Sequence, residues 1–206
     1  MRNLSAIFIL IFAVPFFCRG QEKSAGLMAT GITTEASIYS HTVRVQLEPF
    51  LSWGTQKNQL VVGPTIIVAS NMGFQSSQMP KLSGLKVGYR LWPGSSSNKW
   101  NFYLSNDLRV QRVQDGWKGN AFNEELAQYE ETDYRVIEML VDNHLGYGVT
   151  FSIGQNLTIS QGVGLGAYIS SLNGNDARAH ETNFDYRGYK NFGFSWKVNI
   201  GIAYNL

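Results

Sequence analysis

Asp142 and His144 stand two residues apart, the spacing that puts both side chains on one face of a β-strand. A carboxylate that orients an imidazole, joined by a serine hydroxyl from a neighbouring strand, is the equipment of nucleophilic hydrolysis. No motif singles out a serine, so the simpler reading of the pair is a satisfied polar core. Gly162-x-Gly164-x-Gly166 has the glycine content of a dinucleotide loop but neither its spacing nor a following helix, and reads as a stripe of small residues on one strand face. Glu124, Glu125, Glu130, Glu131 and the stretch Asn173 to Asp176 offer oxygens that a hard cation would accept. Acidic loops are ordinarily just solvated, so no metal and no cofactor is expected. Asn156-Leu157-Thr158 matches a glycosylation acceptor and reads as turn chemistry between two strands.

Composition narrows the setting for these groups. Charged residues make up 16% of the 206 positions, below the usual quarter. Twenty-one glycines and 13% aromatics suit a strand-and-turn protein. A formal charge of +2, with no run of Lys and Arg, leaves out a nucleic-acid partner. Arg2, the apolar run Ile7 to Phe17 and the small residues Cys18 and Gly20 form a signal peptide over residues 1–20, with cleavage before Gln21 and a single domain over 21–206. The run is short of the roughly 20 apolar residues of a spanning helix. Acylation of Cys18 is an alternative, though Phe17 occupies a position where a small residue is expected. Cys18 is the only cysteine, so cleavage removes thiol and disulfide chemistry from the mature chain.

From Thr42 onward the dominant period is two. Trp196, Val198, Ile200, Ile202, Tyr204 and Leu206 share one face, opposed by Lys197, Asn199, Gly201, Ala203 and Asn205. A helix would scatter those apolar residues around its whole cylinder. The same alternation marks Val43–Trp53, Leu60–Val68, Leu85–Leu91, Trp100–Val110, Ile137–Phe151 and Leu157–Ile169. Seven strands follow, in three hairpins and a closing strand. Longer connections are expected at about Asn71 to Lys81, Arg112 to Asp133 and Leu172 to Asn191, with a short helical turn at Asn123 to Tyr129. A bacterial membrane barrel needs an even strand number, which places a first strand in Gly31 to Tyr39, where Ile32, Thr34, Ala36 and Ile38 alternate weakly.

Alternation leaves open which face is inside. The polar face is rich in Gly, Ser, Thr and Asn rather than the Lys and Glu of a soluble exterior. Trp53, Trp100, Phe151 and Tyr204 lie near strand ends, where a membrane interface would hold them. Connections alternate short and long, and the chain stops on an apolar residue of its last strand. The interior then receives Arg44, Lys86, Arg90, Arg109 and Lys197 against Glu48, Asp107, Glu138 and Asp142, with His144 among them. Those charges nearly balance, as a paired network requires. The glycine stripes at Gly146, Gly148, Gly162, Gly164 and Gly166 would make room for large polar side chains from opposite strands.

The C-terminal run Gly201-Ile202-Ala203-Tyr204-Asn205-Leu206, with the three hairpins before it, resembles the small eight-stranded outer-membrane barrels of the OmpA and OmpX type. The resemblance covers most of the mature chain. It implies an all-β, antiparallel up-and-down transmembrane barrel of eight strands in the cell outer membrane. Its partners would be outer-membrane lipid and the barrel-assembly machinery, which would read the strand Trp196–Leu206. That family commonly ends in Phe; here Leu206 takes the place, two residues after Tyr204. The implied role is non-enzymatic, with a plugged polar lumen and a structural or recognition function carried by external loops. Loop aromatics Trp117, Phe122, Phe184, Tyr186 and Tyr189 would serve recognition or rest on the rim. A lipid hydrolase and a narrow channel are the alternatives.

Overall fold

A computed structural model describes residues 26–39, 42–70, 81–94, 99–123, 128–175 and 189–206, with backbone alone for 115–123, 130–136, 173–175 and 189. The expected signal peptide, residues 1–20 with Cys18, lies outside these residues. Eight strands run β1 (Gly26–Ile38), β2 (Val43–Gly54), β3 (Asn58–Ser70), β4 (Lys81–Leu91), β5 (Trp100–Asn123), β6 (Gln128–Ile153), β7 (Leu157–Asn175) and β8 (Tyr189–Asn205). Each pairs antiparallel with the next, and β8 returns to β1 from Thr30↔Tyr204 to Ile38↔Trp196, so the sheet is a closed barrel. Closure leaves no sheet edge within the belt, the condition for a β-structure in hydrocarbon.

The barrel is inside-out by the standard of a soluble protein. Along β8, Trp196, Val198, Ile200, Ile202 and Tyr204 are exposed while Ser195 and Lys197 are buried. Buried polar and charged side chains outnumber buried apolar ones among the described residues. No helix among them is long and apolar enough to cross a membrane. Short turns join β2 to β3 and β6 to β7 at one end, which also holds Gly26 and Leu206. At the β6–β7 turn Gly154 takes φ +66°, a left-handed conformation glycine adopts without steric cost. At the other end Tyr39 and Thr42 close the β1–β2 turn through paired backbone hydrogen bonds of 2.8 and 3.4 Å.

Four sequence expectations are corrected. β1 begins at Gly26, ahead of the Gly31 start expected. Arg112 to Asp133 is no loop: β5 and β6 continue through it, paired from Arg112↔Met139 to Asn123↔Gln128. Gln128 and Tyr129 are strand rather than helical turn, and residues 124–127 lie outside the described set. β7 likewise runs on to Asn175. Beyond the apolar belt the outward face no longer has to be apolar, so the period-two signal fades while the backbone ladder persists. From Trp117↔Tyr134 onward β5 and β6 pair, among the described residues, only with each other, since β5 last meets β4 at Gln111 and β6 last meets β7 at Arg135. The seven pairs from there to Asn123↔Gln128, at about 3.4 Å per residue, project roughly 24 Å past their neighbours.

One seam of the wall is interrupted. The β2–β3 ladder pairs Leu47↔Ile66 and Leu51↔Val62, and in that register Pro49 faces Pro64 between them. Neither proline has an N–H to give, so the two hydrogen bonds of that rung cannot form.

Candidate functional site in the barrel lumen

The inward positions of six strands meet in one ion-pair network. Arg109 on β5 is its centre, 1% exposed. Its guanidinium donates to Glu35 Oε1 (2.5 Å), Glu48 Oε1 (3.1 Å) and Asp142 Oδ1 (3.2 Å), and to Ser37 Oγ (3.3 Å). Lys86 also pairs with Glu48, Arg44 with Glu138, and Lys197 with Asp107, while Lys197 Nζ lies 3.6 Å from Glu35 Oε2. Ser37 donates to Glu35 (2.7 Å), and Gln111 bridges Gln46 (2.5 Å) and Ser83 (3.3 Å). Such a network is weak evidence of net stability, because desolvation offsets attraction, but removing one member strands its partner.

Glycine provides the space. A Cβ on Gly164 would stand 2.8 Å from Lys197 Cε, one on Gly148 2.4 Å from Tyr103 Cζ, and one on Gly162 2.7 Å from the Tyr103 hydroxyl. The stripe on β6 and β7 is therefore the socket for side chains of β5 and β8, and no nucleotide loop.

The lumen also assembles a nucleophile, a base and an acid. Ser195 Oγ lies 2.9 Å from His144 Nε2, and His144 Nδ1 lies 3.3 Å from Asp142 Oδ1. His144 and Ser195 sit on β6 and β8 with Gly166 of β7 in register with both. A Cβ at Gly166 would come within 2.7 Å of His144 Cδ2, so the missing side chain lets the imidazole reach across. The contacts have the order of a hydrolytic triad, but their surroundings do not. Ser195 and His144 are fully buried. Asp142 is shared with Arg109 and accepts the Tyr39 hydroxyl at 2.7 Å. Above them Tyr39 packs edge-on against Tyr168 at 5.1 Å, with Leu140 alongside. Acyl transfer needs room for a carbonyl and donors for its oxyanion; as packed, this centre holds hydrogen bonds and admits no substrate.

Nine of the ten polar residues expected in the lumen join this arrangement: Arg44, Glu48, Lys86, Asp107, Arg109, Glu138, Asp142, His144 and Lys197. Arg90 stands apart. It is half-buried, its Cζ 5.0 Å from the Phe50 ring centroid and 5.5 Å from that of Tyr103. The four aromatics expected at the interface, Trp53, Trp100, Phe151 and Tyr204, all fall on the short-turn rim and form one belt. Trp100 and Phe151 touch at 4.7 Å, and the Tyr204 hydroxyl accepts from Asn156 at 2.9 Å. Towards the other rim β8 exposes Phe192 and Phe194, whose rings are 6.3 Å apart.

Sequence reasoning did not name Glu35, Tyr39, Gln46, Gln111 or Ser195. Glu35 had a signal: if Ile32, Thr34, Ala36 and Ile38 face out, Thr33, Glu35 and Ser37 face in, and all three are buried. Ser195 likewise shares a face with Lys197, but its meeting with His144 depends on register across an intervening strand.

No family model matches the sequence, and no curated protein matches it. Among solved structures it is similar to the N-terminal β-barrel domain of Pseudomonas aeruginosa OprF, at 10% identity and TM-score 0.42 over 86% of this chain and 97% of that one. It is similar to Neisserial surface protein A at 10% identity and TM-score 0.43, covering 89% and 100%. A third likeness is to the outer membrane protease OmpT of Escherichia coli, at 6% identity and TM-score 0.39, covering 88% and 95%. The eight-stranded closed barrel stands on the chain's own ladder, from β1↔β2 round to β8↔β1.

Proposed function

We propose that the protein is a non-enzymatic integral barrel of the cell outer membrane, delivered by its cleaved signal peptide, whose plugged lumen supports a projecting hairpin used for recognition outside the cell. The observation that carries this reading is the β5–β6 hairpin, which continues as a two-stranded ribbon past the strands beside it. Among the described residues the ribbon's outer backbone edges are unpaired, and a partner strand can add to such edges. The apolar belt and polar interior support the membrane assignment. The alternating outward face of Trp196–Leu206 supports its use as the assembly signal. An epitope inserted within residues 124–127 should bind antibody on intact cells, and one inserted at 154–156 only after permeabilisation. The reverse pattern, or recovery of the mature chain as a soluble periplasmic protein, overturns the proposal.

The Ser195–His144–Asp142 contact favours a second reading, a lipid hydrolase. It requires Tyr39 and Tyr168 to leave their packed positions and admit a substrate. A lipid-A mass profile that changes when the protein is removed would support it.

A further inference from the structure

Four of the five cations facing the lumen are held by carboxylates. Arg44 has Glu138, Lys86 has Glu48, Arg109 has three partners and Lys197 has Asp107. Arg90 is the fifth. Among the described residues its guanidinium makes no hydrogen bond and no ion pair; two aromatic rings hold it instead. Its charge offsets at a distance the one extra carboxylate of the network, which sets Glu35, Glu48, Asp107, Glu138 and Asp142 against four paired cations. Asp107 is the carboxylate nearest to Arg90 in register, opposite Gly88, and is committed to Lys197.

The rings that hold Arg90 are themselves fixed. Phe50 is 6% exposed and Tyr103 3%. A Cβ on Gly31 would meet the tip of Phe50 at 2.8 Å, and Tyr103 fills the space beside Gly148 and Gly162. Stacking occupies the flat faces of a guanidinium and leaves its N–H edge for an acceptor. That edge borders a cavity of 340 Å³ at the short-turn end, within the size range of small-molecule sites. Arg90 is the only charged side chain among the described residues lining it. Ser52, Gln59, Asn101 and Thr150 supply hydrogen-bonding groups, and Trp92 and Met28 supply apolar surface.

We propose that this mouth is a binding site for a small organic carboxylate, with Arg90 as the group that receives the anion. A carboxylate matches the fork of a guanidinium in two parallel hydrogen bonds. The mixed wall of hydroxyls, amides and indole matches an amphipathic acid better than an inorganic ion. The inference does not depend on the recognition role of the hairpin, which lies at the opposite end of the barrel.

The test uses the mature protein folded in detergent micelles with ¹⁵N-labelled arginine, titrated with benzoate, its uncharged isostere benzamide, and inorganic phosphate. Benzoate should move one arginine side-chain resonance saturably, and benzamide should not. Arg90→Met should abolish the response. Arg90→Lys, which keeps charge but loses the fork, should weaken it roughly 10- to 100-fold. Should Arg90→Met fail to fold, Gln59→Glu serves instead: it places a competing carboxylate at the half-buried rim of the cavity and should weaken benzoate binding. No saturable shift in the unmodified protein overturns the proposal, as does an unchanged response in these variants. Benzamide or phosphate binding as tightly as benzoate also overturns it.

Discussion

The two ends of the lumen are built from the same alternating strands and differ in what fills them. Towards the long hairpin, Tyr39, Tyr168 and Leu140 close over a buried network in which every cation has a carboxylate. Towards the short turns the inward residues apart from Arg90 are uncharged, Arg90 has only the faces of Phe50 and Tyr103 for company, and a cavity opens. Side-chain size explains much of the difference. Inward Arg, Lys, Glu and Gln cluster at one level of β2, β4, β5 and β8, whereas β3 and β7 end towards the short turns in Gln59 and in Thr158 and Ser160. The contrast teaches that one eight-stranded wall can be a packed core at one end and a binding mouth at the other.

The comparison breaks most sharply at its cations. Arg109→Met should cost about 3–5 kcal/mol, because three buried carboxylates lose their shared partner. Arg90→Met should cost less than about 1 kcal/mol, because a half-exposed cation is screened and hydrated. Urea midpoints of the two variants, folded in the same detergent, decide this. Equal losses would mean that the two ends are energetically alike.

Gly166 tests the packed end without touching a charge. A Cβ there would stand 2.2 Å from the Asn143 carbonyl oxygen and 2.7 Å from the His144 ring. Gly166→Ala should therefore destabilise by about 1–3 kcal/mol, the usual cost of overpacking, read from the same urea curves. Gly26 has nothing within 4 Å of its ideal Cβ, and Gly26→Ala should leave the midpoint where it is.

The plugged lumen we propose predicts a conductance result. Eight strands leave little more than the volume of their own side chains, and here Arg109 alone reaches carboxylates on three other strands. The purified mature protein in planar bilayers should show no large, stable conductance steps. Such steps would refute the plug and bring the channel reading forward.

What the sequence made legible follows from what the membrane demands. Within the apolar belt the two faces must differ at every residue, so alternation placed Arg44, Glu48, Lys86 and Lys197 inward from one chain alone. Above the belt that demand lapses, and β5 and β6 from Arg112 to Asp133 passed for a loop because Trp117, Lys118 and Gly119 obey no face rule. β1 was faint for another reason: Thr33, Glu35 and Ser37 face in, but Thr30 and Thr34 also face out, which blurs the contrast. The partnership of individual ions was out of reach, because Arg109 meets Glu35 across strands 74 residues apart in the chain.

A smaller effect than that at Gly166 is predicted at Ser195. Its hydroxyl and the His144 imidazole have the 2.9 Å separation of an activated nucleophile. An activated serine reacts because it is both polarised and reachable, and Ser195 is 0% exposed beneath the Tyr39–Tyr168 pair. A fluorophosphonate probe should therefore leave the folded barrel unlabelled. Ser195→Ala should lose only one neutral hydrogen bond, about 0.5–1.5 kcal/mol on the urea curve, and lipid-A composition should not change. Tyr39→Ala sharpens the test, since it removes half of the covering pair and a hydrogen bond to Asp142. If the probe labels Ser195 in that variant but not in the unmodified barrel, the lumen holds a competent hydrolytic centre kept shut by its cover. If neither is labelled, Ser195 and His144 are structural, and the triad order arises from filling the gap that Gly166 leaves between two strands.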